Sequence, residues 1–377
     1  MKRRRIIPVL LCMMLILLGA GTAVGTMKEE VRSAAKGLRT ALEGKDEMIL
    51  NRQEILPAGS PQSDWAAMAL ALAGEKDHYQ VYAKNLETYV KETYERNGSL
   101  SDRKATEYDR VILTVLALGR DPEQFGGADL VEDGIWQYQG GSLGDQGVNG
   151  WIYSLIAADA GPYEEPQDAK YTRKMMVEEI LAEQNEDGSF GLQKGSADPD
   201  LTAMALQALA PYQEDSEVKA ASDEALVWLS EHMTEHGSYV SYGEESAESC
   251  AQTVIALCAL GTDPAEDDRF AKNGVTLLDG MEAFARKDGG YAHAQSDRES
   301  NFMASEQVLL AKTALLRLRQ GEERLYSFEQ YTGPQESGTS MMKIVIAVIA
   351  AVAAGAVVLA VRRKGKTNAG ADRTDSK

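Results

Sequence analysis

The chain has 377 residues, 44% hydrophobic and 26% charged, with 39 basic against 58 acidic side chains and a net charge of −19. Such a surface repels a polyanion, which excludes nucleic acid as a partner. Three cysteines exclude a disulfide-stapled scaffold, and the length admits one large core.

In chain order, Lys2-Arg3-Arg4-Arg5 precede an apolar stretch over 6–18 and small residues through Gly25. That layout predicts a signal peptide over 1–26. Cys12 leaves with it. Leu11 stands before Cys12, where a lipoprotein would carry Gly or Ala. Residues 27–62 are expected to form a helical lead-in.

Six runs of alanine and leucine follow, each opened by polar residues. They begin at Asp64, Asp109, Asn149, Asp200, Ala251 and Glu306. The steps of 40 to 55 residues suit a two-helix hairpin with its loops. The runs are apolar almost all round, so each predicts a helix buried on every side. Between them lie amphipathic segments. Tyr79, Tyr82, Leu86, Tyr89 and Val90 form one stripe, and Val177, Ile180, Leu181 and Gln184 form another. A wet helix thus alternates with a dry one about six times, which predicts outer helices wrapped around an inner ring. The turns Asn97-Gly98-Ser99-Leu100, Asp187-Gly188-Ser189-Phe190, His236-Gly237-Ser238-Tyr239 and Asp288-Gly289-Gly290-Tyr291 each separate a wet helix from a dry one. Glycine accepts a positive φ there, and the apolar residue two places on can plug the ring. The glycines at 141, 144, 147 and 150 lack a following Lys-Ser/Thr and read as a flexible loop.

Residues 326–342 read as a stalk. The expected transmembrane helix 343–361, uncharged from Ile344 to Val361, is long enough to span a bilayer, and Arg362-Arg363-Lys364 follow it. The positive-inside rule then predicts a cytoplasmic tail over 362–377 and a single-pass protein of the cell membrane with its body extracellular. That body holds 28 basic and 56 acidic residues. Cys250 and Cys258 share one helix, about 12 Å apart in rise, too far for a disulfide.

Gln184-Asn185-Glu186-Asp187-Gly188-Ser189-Phe190-Gly191 resembles the Gln-x-x-x-Gly-x-Trp repeat of squalene cyclases and prenyltransferases, with Phe for Trp. Asp198-Pro199-Asp200-Leu201-Thr202-Ala203 resembles a helix-opening segment of the same superfamily. Thr106-Glu107-Tyr108-Asp109-Arg110 and Glu248-Ser249-Cys250-Ala251-Gln252 are similar to the prenyltransferase/squalene oxidase repeat proteins on Gram-positive surfaces. The resemblance implies an all-α fold: an α/α toroid over 63–325, to which the sequence adds one C-terminal transmembrane helix. It also implies a kinship of shape with the cobalamin carriers intrinsic factor and transcobalamin.

In a toroid the first residues of the dry helices converge on one mouth. The candidate ligand-binding residues are therefore Asp64, Trp65, Glu107, Tyr108, Asp109, Asn149, Trp151, Asp198, Asp200, Glu248, Ser249, Gln252, His293, Glu306 and Gln307. Capping of helix N-termini is the plain alternative for each. Class II terpene cyclases carry Asp-x-Asp-Asp-Thr-Ala, so the resemblance would make Asp200, with Asp198, the catalytic acids of an enzyme. Leu201 replaces the third carboxylate and weakens that assignment. Glu248-x-Cys250 with His293 departs from the prenyltransferase zinc pattern in acid and spacing, so no metal and no resident cofactor are expected. The expected function is a membrane-anchored, non-catalytic binding module for a small-molecule or surface ligand, cobalamin-like in one version. Such carriers use a β-rich domain to clamp cobalamin, which here would come from a separate partner chain. The alternatives are a terpenoid cyclase or prenyltransferase-type enzyme and a cell-surface adhesion module.

Overall fold

The computed structural model describes residues 25–42, 45, 47–329 and 332–334. The expected signal segment up to residue 24, the apolar stretch 343–361 and the basic tail lie outside the described residues. Among the described residues no helix is long and apolar enough to cross a membrane.

The dry runs form the helices α2 (Pro61–Leu72), α4 (Ala105–Ala117), α5 (Val148–Ala158), α7 (Pro199–Leu209), α9 (Ala247–Ala259) and α11 (Phe302–Gln320). They lie side by side in that order, and α11 packs back against α2, closing a ring. In α9 every residue from Ala247 to Cys258 is buried. A helix with no wet face has to be enclosed by others, which is why these runs are inside.

The outer layer is α1 (25–42), α3 (Tyr79–Asn97), α6 (Arg173–Ala182), α8 (Ser216–His232) and α10 (Leu277–Glu282). α3, α6, α8 and α10 each pack on the inner helix that precedes them. α1 is held to α11 by Lys312, whose ammonium lies 3.6 Å from Glu30 and also pairs with Glu282 of α10. Behind α4 the outer element shrinks to one π turn, Glu132–Trp136. The result is an α/α toroid of six hairpins.

The turns bind the two layers. Gly98, Gly188, Gly237 and Gly289 have φ between 75 and 90°. Leu100, Phe190, Tyr239 and Tyr291, two residues on, are buried. At Gly237 a Cβ would stand 2.3 Å from the Thr276 carbonyl oxygen, so no side chain fits. Two of these turns share one clasp. The Thr202 hydroxyl accepts from the Phe190 N–H at 2.9 Å and donates to its carbonyl at 3.1 Å. The Ser305 hydroxyl does the same for Tyr291, at 2.9 and 3.3 Å.

Two features depart from the sequence pattern. The glycine-rich segment at 141–150 is a short 3₁₀ turn, Leu143–Gln146, closed by a Ser142–Asp145 capping box, and not a flexible loop. A Cβ at Gly150 would meet the Leu143 carbonyl oxygen at 1.9 Å, so close packing is what selects glycine there. Two small hairpins also occur, Tyr239–Ser241 with Glu244–Ser246 and Ala271–Lys272 with Val275–Thr276. The first leads directly into α9.

Candidate functional site

The inner helices begin one to four residues before their apolar runs, and that offset decides which side chains reach the mouth. Ser60, Asp198, Ser246 and Asn301 are the side-chain N-caps of α2, α7, α9 and α11. Of the fifteen candidate residues only Asp198 is a cap, accepting from the Leu201 N–H at 3.0 Å. Apart from His293, which lies between α10 and α11, the others fall inside the first two turns and point where the helical angle sends them.

A cavity of about 650 Å³ opens at the N-terminal ends of the ring. Trp65 from α2, Glu107 from α4, Asn149 from α5, Gln252 from α9, and Glu306 and Gln307 from α11 all line it. So do Arg110, Tyr153, Phe302 and Tyr326, which the sequence did not single out. Trp65 and Tyr153 meet edge to face at 5.7 Å, forming one aromatic wall. Gln207, Gln252 and Gln307 hand hydrogen bonds from α7 through α9 to α11, at 2.8 and 3.0 Å.

Asp64 does not line the cavity. It is fully buried beneath it, accepting from Arg110 Nε at 3.0 Å, the Tyr82 hydroxyl at 2.6 Å and the Gly59 N–H at 3.0 Å. Burial raises its pKa, and Arg110, Tyr82 and Gly59 pull it back. Tyr108 is buried with its hydroxyl accepting from the Leu100 N–H at 2.9 Å. Trp151 packs edge-on to Tyr171 at 5.9 Å. Ser249 pairs with the Ser246 hydroxyl at 2.7 Å. His293 pairs with Glu248 at 2.9 Å, outside the cavity lining. The hydrogen bond to Glu248 keeps the imidazole more basic than usual despite some desolvation.

Three carboxyl groups around the ring lack what an ionised carboxylate needs. Asp109 is buried between α4 and α5, with Ser154 as a donor at 3.2 Å and Oδ1 unpartnered. Burial pushes its pKa well above the ordinary range. Asp200 has one buried, unpartnered oxygen, and burial raises it to about 7. Glu306 is 4% exposed, its Oε1 has no partner, and burial reinforced by Glu248 raises it to about 8. Tyr153 lies within electrostatic reach of all three, and burial together with their charges raises its phenol. Burial thus favours the neutral acid at Asp109 and Glu306, while Asp200 is balanced between its two forms near neutral pH.

Cys250, fully buried, directs its thiol to the Ser246 carbonyl at 3.4 Å. Among the described residues no three His, Cys, Asp or Glu side chains gather closely enough to hold a metal ion.

The floor comes from the end of the described chain. After α11 a strap over 322–329 crosses the far end of the ring, with Leu325 and Phe328 buried and the Phe328 N–H donating to the Ala160 carbonyl at 2.8 Å. Tyr326 faces both the mouth and a smaller cavity on the far side, beside Asp159 and Gln207. The boundary at 325 expected from sequence thus cuts through the floor of the cavity.

No family model and no curated protein matches the chain. Among solved structures it is similar to an unsaturated glucuronyl hydrolase from Bacillus sp. GL1, responsible for the degradation of glycosaminoglycan. The TM-score is 0.53 at 12% identity, over 80% of this chain and 100% of that one. A UGL variant with dGlcA-Glc-Rha-Glc gives 0.51 at 12% identity, over 80% and 99%. At this identity the likeness shows the α/α toroid alone. The toroid class implied by the resemblance to prenyltransferase/squalene oxidase repeat proteins is shared, and the neighbours represent a different family of that class.

Proposed function

We propose that the mouth of the toroid binds a short saccharide. The observation that carries this reading is the cavity lining: aromatic faces from Trp65, Tyr153, Phe302 and Tyr326 beside the amides of Asn149, Gln252 and Gln307. Sugar rings offer apolar C–H faces and hydroxyl edges, and this lining matches both. The shared fold with a glycan-degrading hydrolase supports the reading. The sequence supports it too: an apolar stretch over 344–361 followed by a basic tail favours a body at the cell surface, where glycans are met. Glycan-array screening of the full chain, followed by calorimetry, tests it. A saccharide should bind, and Trp65→Ala should weaken it at least tenfold. Absence of any saccharide ligand, or full affinity in Trp65→Ala, contradicts the reading.

Asp200 favours a second reading, acid-catalysed glycoside cleavage. It lies outside the lining of the mouth, yet burial raises it to about 7, where it can both hold and give up a proton, and one of its oxygens is unpartnered. These are the properties of a general acid. If the site turns over, Asp200→Asn should lower the release of reducing ends at least a hundredfold with binding retained. Unchanged turnover in that variant removes Asp200 from the chemistry.

A further inference from the structure

We infer that the saccharide bound in the mouth carries a free ammonium group, as in an amino sugar, and that Glu306 is its counter-ion. The inference rests on the saccharide reading above and specifies its charge. Glu306 sits in the second turn of α11, lines the cavity, and is 4% exposed with Oε1 unpartnered. An acceptor left unmatched on a cavity wall is a place for a donor from the ligand.

The charges around it decide which donor. From α4, Arg110 reaches the cavity, but its guanidinium already holds Asp64 at 3.0 Å and Glu107 at 2.7 Å. It also donates to the Gly59 carbonyl at 3.0 Å. From α9, Glu248 adds negative charge near Glu306, and α5 and the strap present the phenols of Tyr153 and Tyr326. α2 presents the uncharged Gln62 and Trp65. Among the described lining residues every cation is already matched by carboxylates. A uronate would have to strip Arg110 from buried Asp64 and then face Glu107 and Glu306. An ammonium meets a buried carboxyl and aromatic faces, which attract cations. The acidic body, 56 acidic against 28 basic residues, steers a cation in the same direction.

Binding then moves a proton. Before binding, burial keeps Glu306 protonated up to about 8. The Glu306 carboxyl loses its proton to solvent as the ligand ammonium takes its place, so one proton is released per ligand bound. Over the range in which Glu306 starts protonated, affinity should rise about tenfold per pH unit. A neutral ligand accepting a hydrogen bond from the carboxyl shows the opposite slope near 8.

The test is calorimetry on the full chain with three probes: the glucosamine trimer, its fully N-acetylated form, and a galacturonate trimer. Titrations at pH 5 to 6.5, in two buffers of different ionisation heat, read the protons exchanged. The glucosamine trimer should bind at least tenfold tighter than the acetylated one and release about one proton. Glu306→Gln should abolish both the release and the preference. The proton count on the parent protein needs no variant, so a misfolded Glu306→Gln leaves the test intact. Preference for the acetylated or uronate trimer, or no proton release, overturns the ammonium inference and leaves the saccharide reading standing. Failure of all three probes to bind overturns the ammonium inference, and the saccharide reading falls only if the glycan array also yields no ligand.

Discussion

Glu306 ties the site to the stability of the protein. It titrates near 8 in the folded chain against 4.5 for an unperturbed glutamate. Between those values the native state holds a proton that the unfolded chain has released. Stability must therefore fall as pH rises from about 4.5 to about 8 and level off above. The ionised form in that pocket costs at most roughly 5 kcal/mol. Glu306→Gln should flatten this slope and melt above the parent at pH 8.5. Thermal melts at pH 5, 7 and 8.5 check it, and an unchanged slope would place the protonated group elsewhere. Asp200 and Asp109, both raised, contribute slopes of the same sign.

The hairpin repeat was legible because its two halves bury different fractions of their surface. Ala66 to Ala71 of α2 are all at or near zero exposure, whereas α3 buries only Tyr79, Tyr82, Ala83, Leu86, Val90 and Thr93. Apolarity all round against an amphipathic stripe records that difference directly. The turn clasps were half legible: the glycines and the plugging aromatics could be read, but the hydroxyl that grips them lies 12 or 14 residues further on. Thr202→Val strands the Phe190 N–H in a buried turn and should cost about 1–3 kcal/mol. A denaturation midpoint equal to the parent's would show that the clasp is ornamental. The π turn behind α4 left no trace in sequence, because five residues are too few to set a 3.6-residue period. Trp151 and Tyr108 were read as mouth residues because the runs, not the helix starts, were aligned. Asn149 and Glu107 of the same two helices reach the cavity, whereas Trp151 turns to Tyr171 and Tyr108 to the Leu100 turn.

At the level of the whole molecule, the ring needs a floor as well as a wall, and the floor comes from beyond the last repeat. Arg110 and Tyr326 escaped the sequence reading for the same reason. One is held by buried Asp64, 46 residues away, as well as by Glu107 and Gly59, and the other belongs to a strap that recrosses the ring. Tyr326→Ala should join the mouth to the smaller far-side cavity and destabilise the toroid by roughly 3 kcal/mol. Saccharide affinity should fall with it, while Tyr326→Phe keeps both; an Ala variant with parental stability and affinity would show that the strap is not the floor. The measurement that bears most directly on the central claim is a crystal structure of the chain grown with the glucosamine or N-acetylglucosamine trimer. The account predicts sugar rings inside the mouth, packed on Trp65 and Tyr326, with polar edges on Gln252, Gln307 and Glu306. A trimer seated on the outer helices, with the mouth unchanged from the free protein, contradicts it.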